Sequence, residues 1–204
     1  MYISFTLIII LCTSVVSIMA WQKPALLSAL WLWPPAVRKG EWYRLLSYGL
    51  VHADGMHLAF NMFTLYFFGS MMERFYIARL GVLGYLLFYA GALLVSVLPS
   101  YLQHRNDSNY RSLGASGAVS AILFSFILLR PWATILVFFI PLPAIIFAAL
   151  YVGYSVMMDR RGRDHVNHSA HLWGAGYGII VTLLVDPRVL GYFLSQLLSP
   201  RIGF

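Results

Sequence analysis

Long apolar blocks alternate along this chain with short polar or aromatic stretches. A helix that crosses a bilayer needs about 20 apolar residues. The first block, roughly Tyr2 to Ala20, has that length. Its small residues at Ser17-Ile18-Met19-Ala20 resemble a cleavage site, but Met1 to Ser4 carries no charge, so an uncleaved helix is expected rather than a signal peptide. Trp21 to Ala53 is too polar to span and is broken by Pro34-Pro35. Its Trp21, Trp31, Trp33, Trp42, Tyr43 and Tyr48 read as interfacial, because amphipathic rings settle at headgroup level. A second helix is expected from His57 to about Phe75, then a short connection at Ile77-Ala78-Arg79. A third runs from about Leu80 to Leu98, ended by Pro99, and a fourth from Ser116 to Leu129, stopped by Arg130-Pro131. The fifth segment, Trp132 to Met158, contains Pro141-Leu142-Pro143, which must kink or open a helix. The sixth spans His168 to Val185, before Asp186-Pro187, and the tail from Leu190 to Phe204 reads as interfacial. The pattern predicts an all-α membrane protein, residues 1–204 as one domain with six crossings and no internal repeat.

Composition supports the lipid reading. The 204 residues are 60% hydrophobic and 10% charged, with mean hydropathy +0.76, more apolar surface than a soluble domain of this size can hide. The net charge is +7, but the basic residues sit in short loops with no nucleic-acid-reading module, so they read as headgroup anchors. Nucleic acid is therefore not an expected partner, whereas the bilayer is. The one cysteine, Cys12, excludes an intramolecular disulfide, and no Cys/His spacing resembles a zinc site. Nothing in the pattern specifies an oligomeric state.

Polar groups within a bilayer are costly and mark function by default. Here they are few. Ser116 heads the fourth helix in Gly114-Ala115-Ser116-Gly117, after a polar loop from Gln103 to Ser112. His57 and Asn61 lie one turn apart on a single helix face. His168 and His171 open the sixth helix. Serine chemistry explains the set: Ser116 as nucleophile, neutral His171 as base and then acid. His57, Asn61 and the Ser116 amide would be donors for the oxyanion. Gly114 and Gly117 expose the hydroxyl, and Gly174 with Gly178 lets the sixth helix pack closely enough to bring His171 to Ser116.

Each feature alone has a structural explanation. Gly-x-Ser-Gly is weak and is not the Gly-x-Ser-x-Gly elbow of α/β-hydrolases. His57 and Asn61 would otherwise be interhelical glue, and the glycines packing. Together, on three helices at one membrane depth, they point to catalysis.

The ordered set resembles a rhomboid intramembrane serine protease of the bacterial six-helix form. It comprises Trp42-Tyr43-Arg44, His57-x-x-x-Asn61, Glu73-Arg74, Gly114-x-Ser116-Gly117 and Ala170-His171-x-x-Gly174-x-x-x-Gly178. The resemblance covers about Glu41 to Gly178, and the family core is expected at about 41–186. It implies a Ser116–His171 dyad without a third acidic member, and an oxyanion site of His57, Asn61 and the Ser116 amide. Arg44 and Glu73 would be structural, and Trp21 to Ala53 would form a half-submerged lateral loop. Single-pass membrane proteins would be the substrates, cut near the top of their transmembrane segment with no cofactor and no metal. The six-helix form implies a multi-pass protein of the bacterial inner membrane.

Two features depart from the pattern. Ser120 stands where many bacterial relatives carry a tyrosine packed on the catalytic histidine, which leaves His168, Tyr151 or Tyr154 to orient His171. The family orientation, amino terminus inside, also puts nine of the fourteen Lys and Arg residues outside, against the positive-inside rule. Rival functions are a catalytically silent relative that binds membrane proteins, and a small transporter. The first would normally lack the serine or histidine. The second needs a polar track, which the sixth helix lacks below His171 as far as Thr182. Zinc and aspartyl intramembrane proteases are disfavoured, since no His-Glu-x-x-His occurs and no aspartate sits mid-helix.

Overall fold

Lipid as the outer solvent inverts the usual helix pattern, and the first helix, α1 (Phe5–Gln22), shows this directly. The computed structural model describes residues 4–137, 140–161 and 166–199. In α1 the buried residues are Thr6, Thr13, Ser17 and Ala20, while Leu7, Ile8, Leu11, Val15, Ile18 and Met19 are exposed. Small residues let helices close on one another, and large apolar ones lose nothing by facing hydrocarbon. Buried Glu73 holds the start of α1: its carboxylate accepts from the Phe5 and Thr6 amides at 2.8 and 3.0 Å and from Ser4 Oγ at 2.9 Å. It thereby satisfies orphan donors and opposes the positive end of the helix dipole.

The aromatic segment that follows folds into short helices: α2 (Pro24–Leu30), α3 (Pro34–Arg38) and α4 (Arg44–Ser47), the last continued by a 3₁₀ turn to Leu50. Its prolines start helices, where a missing N–H costs nothing. Arg44 Nη1 donates to the carbonyls of Ser28 (2.7 Å) and Trp31 (2.9 Å), and Arg44 pairs with Glu41 at 2.7 Å, so α4 is tied back onto this segment.

The next stretch runs through α5 (Gly55–Thr64), a π-helical turn (Leu65–Gly69) and the 34-residue α6 (Ser70–Gln103). Two boundaries differ from expectation. Helix continues through Ile77-Ala78-Arg79, and the break comes at Gly81, whose φ of +71° is open to glycine. Pro99 lies inside α6 rather than ending it, because a proline removes only one ladder donor and membrane helices tolerate that loss.

Central α7 (Ser116–Leu129) is buried along nearly its whole length, with α6 and α9 packed against it. The expected kinked helix from Trp132 to Met158 is corrected. Strands β1 (Thr134–Val137) and β2 (Ile140–Pro143) pair antiparallel, and helix α8 begins only at Ala144 (Ala144–Arg161). Pro141 and Pro143 fix their own φ and push Ile140 and Leu142 into extended backbone, which suits a strand. The fold is mostly helical, in keeping with the expected all-α membrane protein, with this one short hairpin among the described residues.

Last come α9 (His168–Val185) and α10 (Arg188–Leu198), bent 113° from one another. At the bend Asp186 accepts from Arg188 Nε (2.8 Å) and Arg79 Nη2 (2.8 Å), contacts that hold its carboxyl well below the usual range. In α10, Val189 turns inward while Leu190, Tyr192, Leu194 and Leu198 are exposed. Among the described residues, α1 and the Gly55–Gln103 stretch, broken at Gly81, are long and apolar enough to cross a membrane. The bent α9–α10 pair could be a third span, and α7 is a shorter apolar helix.

Candidate active site

Ser116 is the first residue of α7, and the chain before it is fixed at each step. Ser112 and Leu32 exchange backbone hydrogen bonds at 2.9 and 3.2 Å. The Gly114 amide donates to the Tyr48 carbonyl at 2.9 Å, and φ at Gly114 is +107°, where a side chain would be strained. A Cβ at Gly114 would also lie 2.6 Å from the His57 ring, so only glycine fits.

His171 lies one turn into α9, whose N-cap is Asn167. The two helices approach to backbone contact: a Cβ on Gly174 would fall on the Gly117 carbonyl, and one on Gly178 on that of Ala121. This closeness brings His171 Nε2 within 2.8 Å of Ser116 Oγ. Of the three candidates for orienting the imidazole, Tyr151 of α8 lies stacked on it, with ring centroids 5.9 Å apart and planes 23° apart. The Tyr151 hydroxyl is 2.7 Å from Ser120 Oγ. His168 meets His171 edge-on at 5.8 Å, and Tyr154 contacts His168 instead.

The expected oxyanion donors are only partly assembled. The His57 ring rests against Gly114, two residues before Ser116. Buried Asn61 donates its amide to the His57 carbonyl, 2.9 Å away on its own helix. Among the described residues no group of three His, Cys, Asp or Glu side chains could hold a metal.

A family profile for the rhomboid domain matches residues 39–188, and so takes in every residue of this site. The chain belongs to the rhomboid family. It is 35% identical over 160 residues to RHOMBOID-like protein 12, mitochondrial, of Arabidopsis thaliana, a match covering 70% of this chain and 46% of that protein. It is 32% identical over 164 residues to Rhomboid-like protein 11, chloroplastic, from the same plant, covering 71% and 53%. Rhomboid protease GluP of Bacillus subtilis is 28% identical over 172 residues, covering 80% and 30%. The chain thus spans about half or less of the length of these relatives. It is an integral membrane protein; relatives named for mitochondrion and chloroplast give no support to the bacterial inner membrane in particular.

Two residues of this rhomboid that sequence reasoning missed support the site from behind. His52 is fully buried, and its Nε2 accepts from the Ala115 amide at 3.3 Å. Nδ1 then carries the proton toward Ser17 Oγ, 3.0 Å away, which itself donates to the Leu50 carbonyl at 2.9 Å. Burial, then neighbouring His57, lowers the pKa of His52 to about 3, so this ring in the loop before α5 stays neutral. The available signal was a second histidine five residues ahead of His57, in a stretch read only as interfacial. Asn167 is the other. Its Oδ1 accepts from the Ala170 amide (2.9 Å) and Ser100 Oγ (3.0 Å), and its Nδ2 donates to the Tyr110 hydroxyl (3.1 Å) and Ser112 Oγ (3.4 Å). One amide joins the end of α6, the loop before Ser116 and the helix of His171. An asparagine just before an apolar run is an N-cap signal that could have found it.

Proposed function

We propose that this rhomboid is an intramembrane serine endopeptidase that cuts single-pass membrane proteins near the top of their transmembrane segment. The observation that carries the reading is the 2.8 Å contact between Ser116 Oγ and His171 Nε2, made by helices that touch backbone to backbone. In this reading six helices cross the bilayer: α1, α5 with α6 as far as Gly81, the rest of α6, α7, α8 and α9. The half-submerged lateral loop is the segment of α2 to α4.

The chemistry needs a base, an electrophile pocket and an orienting contact. Neutral His171 takes the Oγ proton as Ser116 attacks the scissile carbonyl, then delivers it to the leaving amine, leaving an acyl-enzyme. Water, deprotonated by the same imidazole, releases the second product and regenerates Ser116. The developing oxyanion is met by the Ser116 amide, which as the first residue of α7 has no intrahelical acceptor, and by His57. Asn61 joins once it releases the His57 carbonyl, at the cost of one helical side-chain bond. Tyr151 keeps the imidazole plane facing Ser116. No step requires a metal or cofactor.

The test is cleavage of a single-pass model substrate by purified protein in lipid vesicles, with a serine-reactive phosphonate as a second readout. Wild type should cleave and label at Ser116. Ser116→Ala and His171→Ala should lose more than about 10³-fold of the rate while remaining folded. A folded wild type that neither cleaves nor labels would sink the protease reading and favour a membrane-protein binder.

A further inference from the structure

The dyad makes no use of the basic excess on its own side of the protein. Most of these residues need no special explanation, and two are already engaged. Arg44 is paired with Glu41 and bound to two carbonyls, and Arg38 donates to Asn106 Oδ1 at 2.9 Å. Arg111 differs. Among the described residues only its Nη1 donates, to the carbonyls of Ser108 (2.6 Å) and Tyr110 (2.8 Å), and none of them places a carboxylate within ion-pair distance. The guanidinium carbon lies 4.8 Å from the centroid of the Trp33 ring and 5.6 Å from that of Trp31. These three side chains, with Arg44 and Ser28, line an open cavity of about 360 Å³.

We propose that this cavity binds a phosphate group, that of an anionic lipid headgroup. Cation–π contact with two indoles and the two carbonyl bonds from Nη1 hold the guanidinium in place, while Nε and Nη2 keep the paired donors that match phosphate oxygens. Indoles rest at the headgroup level of a bilayer, so the cavity opens where such phosphates are concentrated. Anionic rather than zwitterionic lipid is favoured because the same aromatic segment, Trp21 to Ala53, also carries Lys23, Arg38 and Lys39.

The site has a built-in connection to the dyad's loop. Trp31 and Trp33 flank Leu32, and Arg111 precedes Ser112, the two residues whose backbones exchange hydrogen bonds four residues ahead of Ser116. An occupant therefore bridges both strands of that pairing and holds the entry to α7. The binding itself is independent of whether the dyad cleaves anything.

Native mass spectrometry of the whole chain in neutral detergent micelles tests it, with phosphatidylglycerol, phosphatidylcholine and inorganic phosphate titrated separately. Phosphatidylglycerol should bind one-to-one and more tightly than phosphatidylcholine. Arg111→Gln should weaken it by about fivefold or more, while Arg105→Gln, on the same loop but outside the cavity, leaves it unchanged. Arg111→Lys, which keeps the charge but not the planar guanidinium, should fall between; it decides the matter if Arg111→Gln loses helical circular dichroism. An inorganic phosphate adduct removed by Arg111→Gln, with no lipid adduct, keeps the phosphate site and assigns it a soluble source. Equal losses in Arg105→Gln and Arg111→Gln, or no phosphate-bearing adduct in any arm, overturns the proposal.

Discussion

At the scale of single residues, Ser120 carries the most unexpected chemistry. The resemblance leads one to expect a tyrosine there, packed on the histidine. The tyrosine is instead supplied by α8, and Ser120 holds its hydroxyl at 2.7 Å, so one helix gives the ring and another anchors it. Ring and anchor have separable effects. Tyr151→Phe keeps the stacked face and loses one partly buried hydrogen bond, which contributes about 1 kcal/mol, so its turnover should stay within about fivefold of wild type. Tyr151→Ala removes the surface that limits imidazole rotation and should lower kcat by about tenfold or more with KM little changed, since the ring holds the base rather than the substrate. The check is a kcat and KM split for both variants on one substrate, alongside thermal unfolding. Equal losses in both would place the role in the hydroxyl, and unchanged kcat in both would remove Tyr151 from the site.

At the scale of elements, the contact between α7 and α9 decides whether a dyad exists at all. Gly174 and Gly176 lie two residues apart on α9 and face different surroundings: a Cβ on the first meets the Gly117 backbone, while a Cβ on the second meets nothing within 4 Å. Gly174→Ala should drive the helices apart, cost about 1–3 kcal/mol and abolish phosphonate labelling of Ser116. Gly176→Ala should leave labelling intact and gain up to about 1 kcal/mol from helix propensity. Thermal unfolding and labelling of the pair test this, and similar behaviour of the two variants would overturn the packing argument. This contact was legible in the sequence because a four-residue glycine spacing has one main use between membrane helices. The hairpin of β1 and β2 was not, because an apolar run with two prolines reads equally as a broken helix when the block is long enough to span. Pro99 misled for the opposite reason: a helix ladder survives one missing donor, so proline alone does not set an end. His52 was hidden because its partners, Ser17 and Ala115, are remote in sequence and follow no periodicity.

At the scale of the whole molecule, the inside-out burial of α1 and the placement of charge bear on which way the protein faces. Ser116 begins α7 and His171 lies in the first turn of α9, at the end of the bundle next to the tryptophan-rich segment, while Asp186 with Arg79 and Arg188 closes the other. The family layout puts the dyad outside, and nine basic residues with it, which ordinary charge bias opposes. The positions of those residues weaken that opposition. Arg44 is buried and paired, Arg38 is bonded to Asn106, and Arg111 lies over two indoles, so three of the nine are built into the folded lateral segment and its neighbouring loop. The other end keeps Arg79 and Arg188 on one buried carboxylate, a compact anchor. A reporter fused after Phe204 should therefore read cytoplasmic, and one inserted after Asn106 should read external. Replacing Arg79 and Arg188 together with glutamine should shift part of the population to the inverted form, whereas Arg38→Gln should not. An external reading at the carboxyl terminus of the wild type would reverse the orientation, and with it the side of the membrane on which Ser116 and His171 lie.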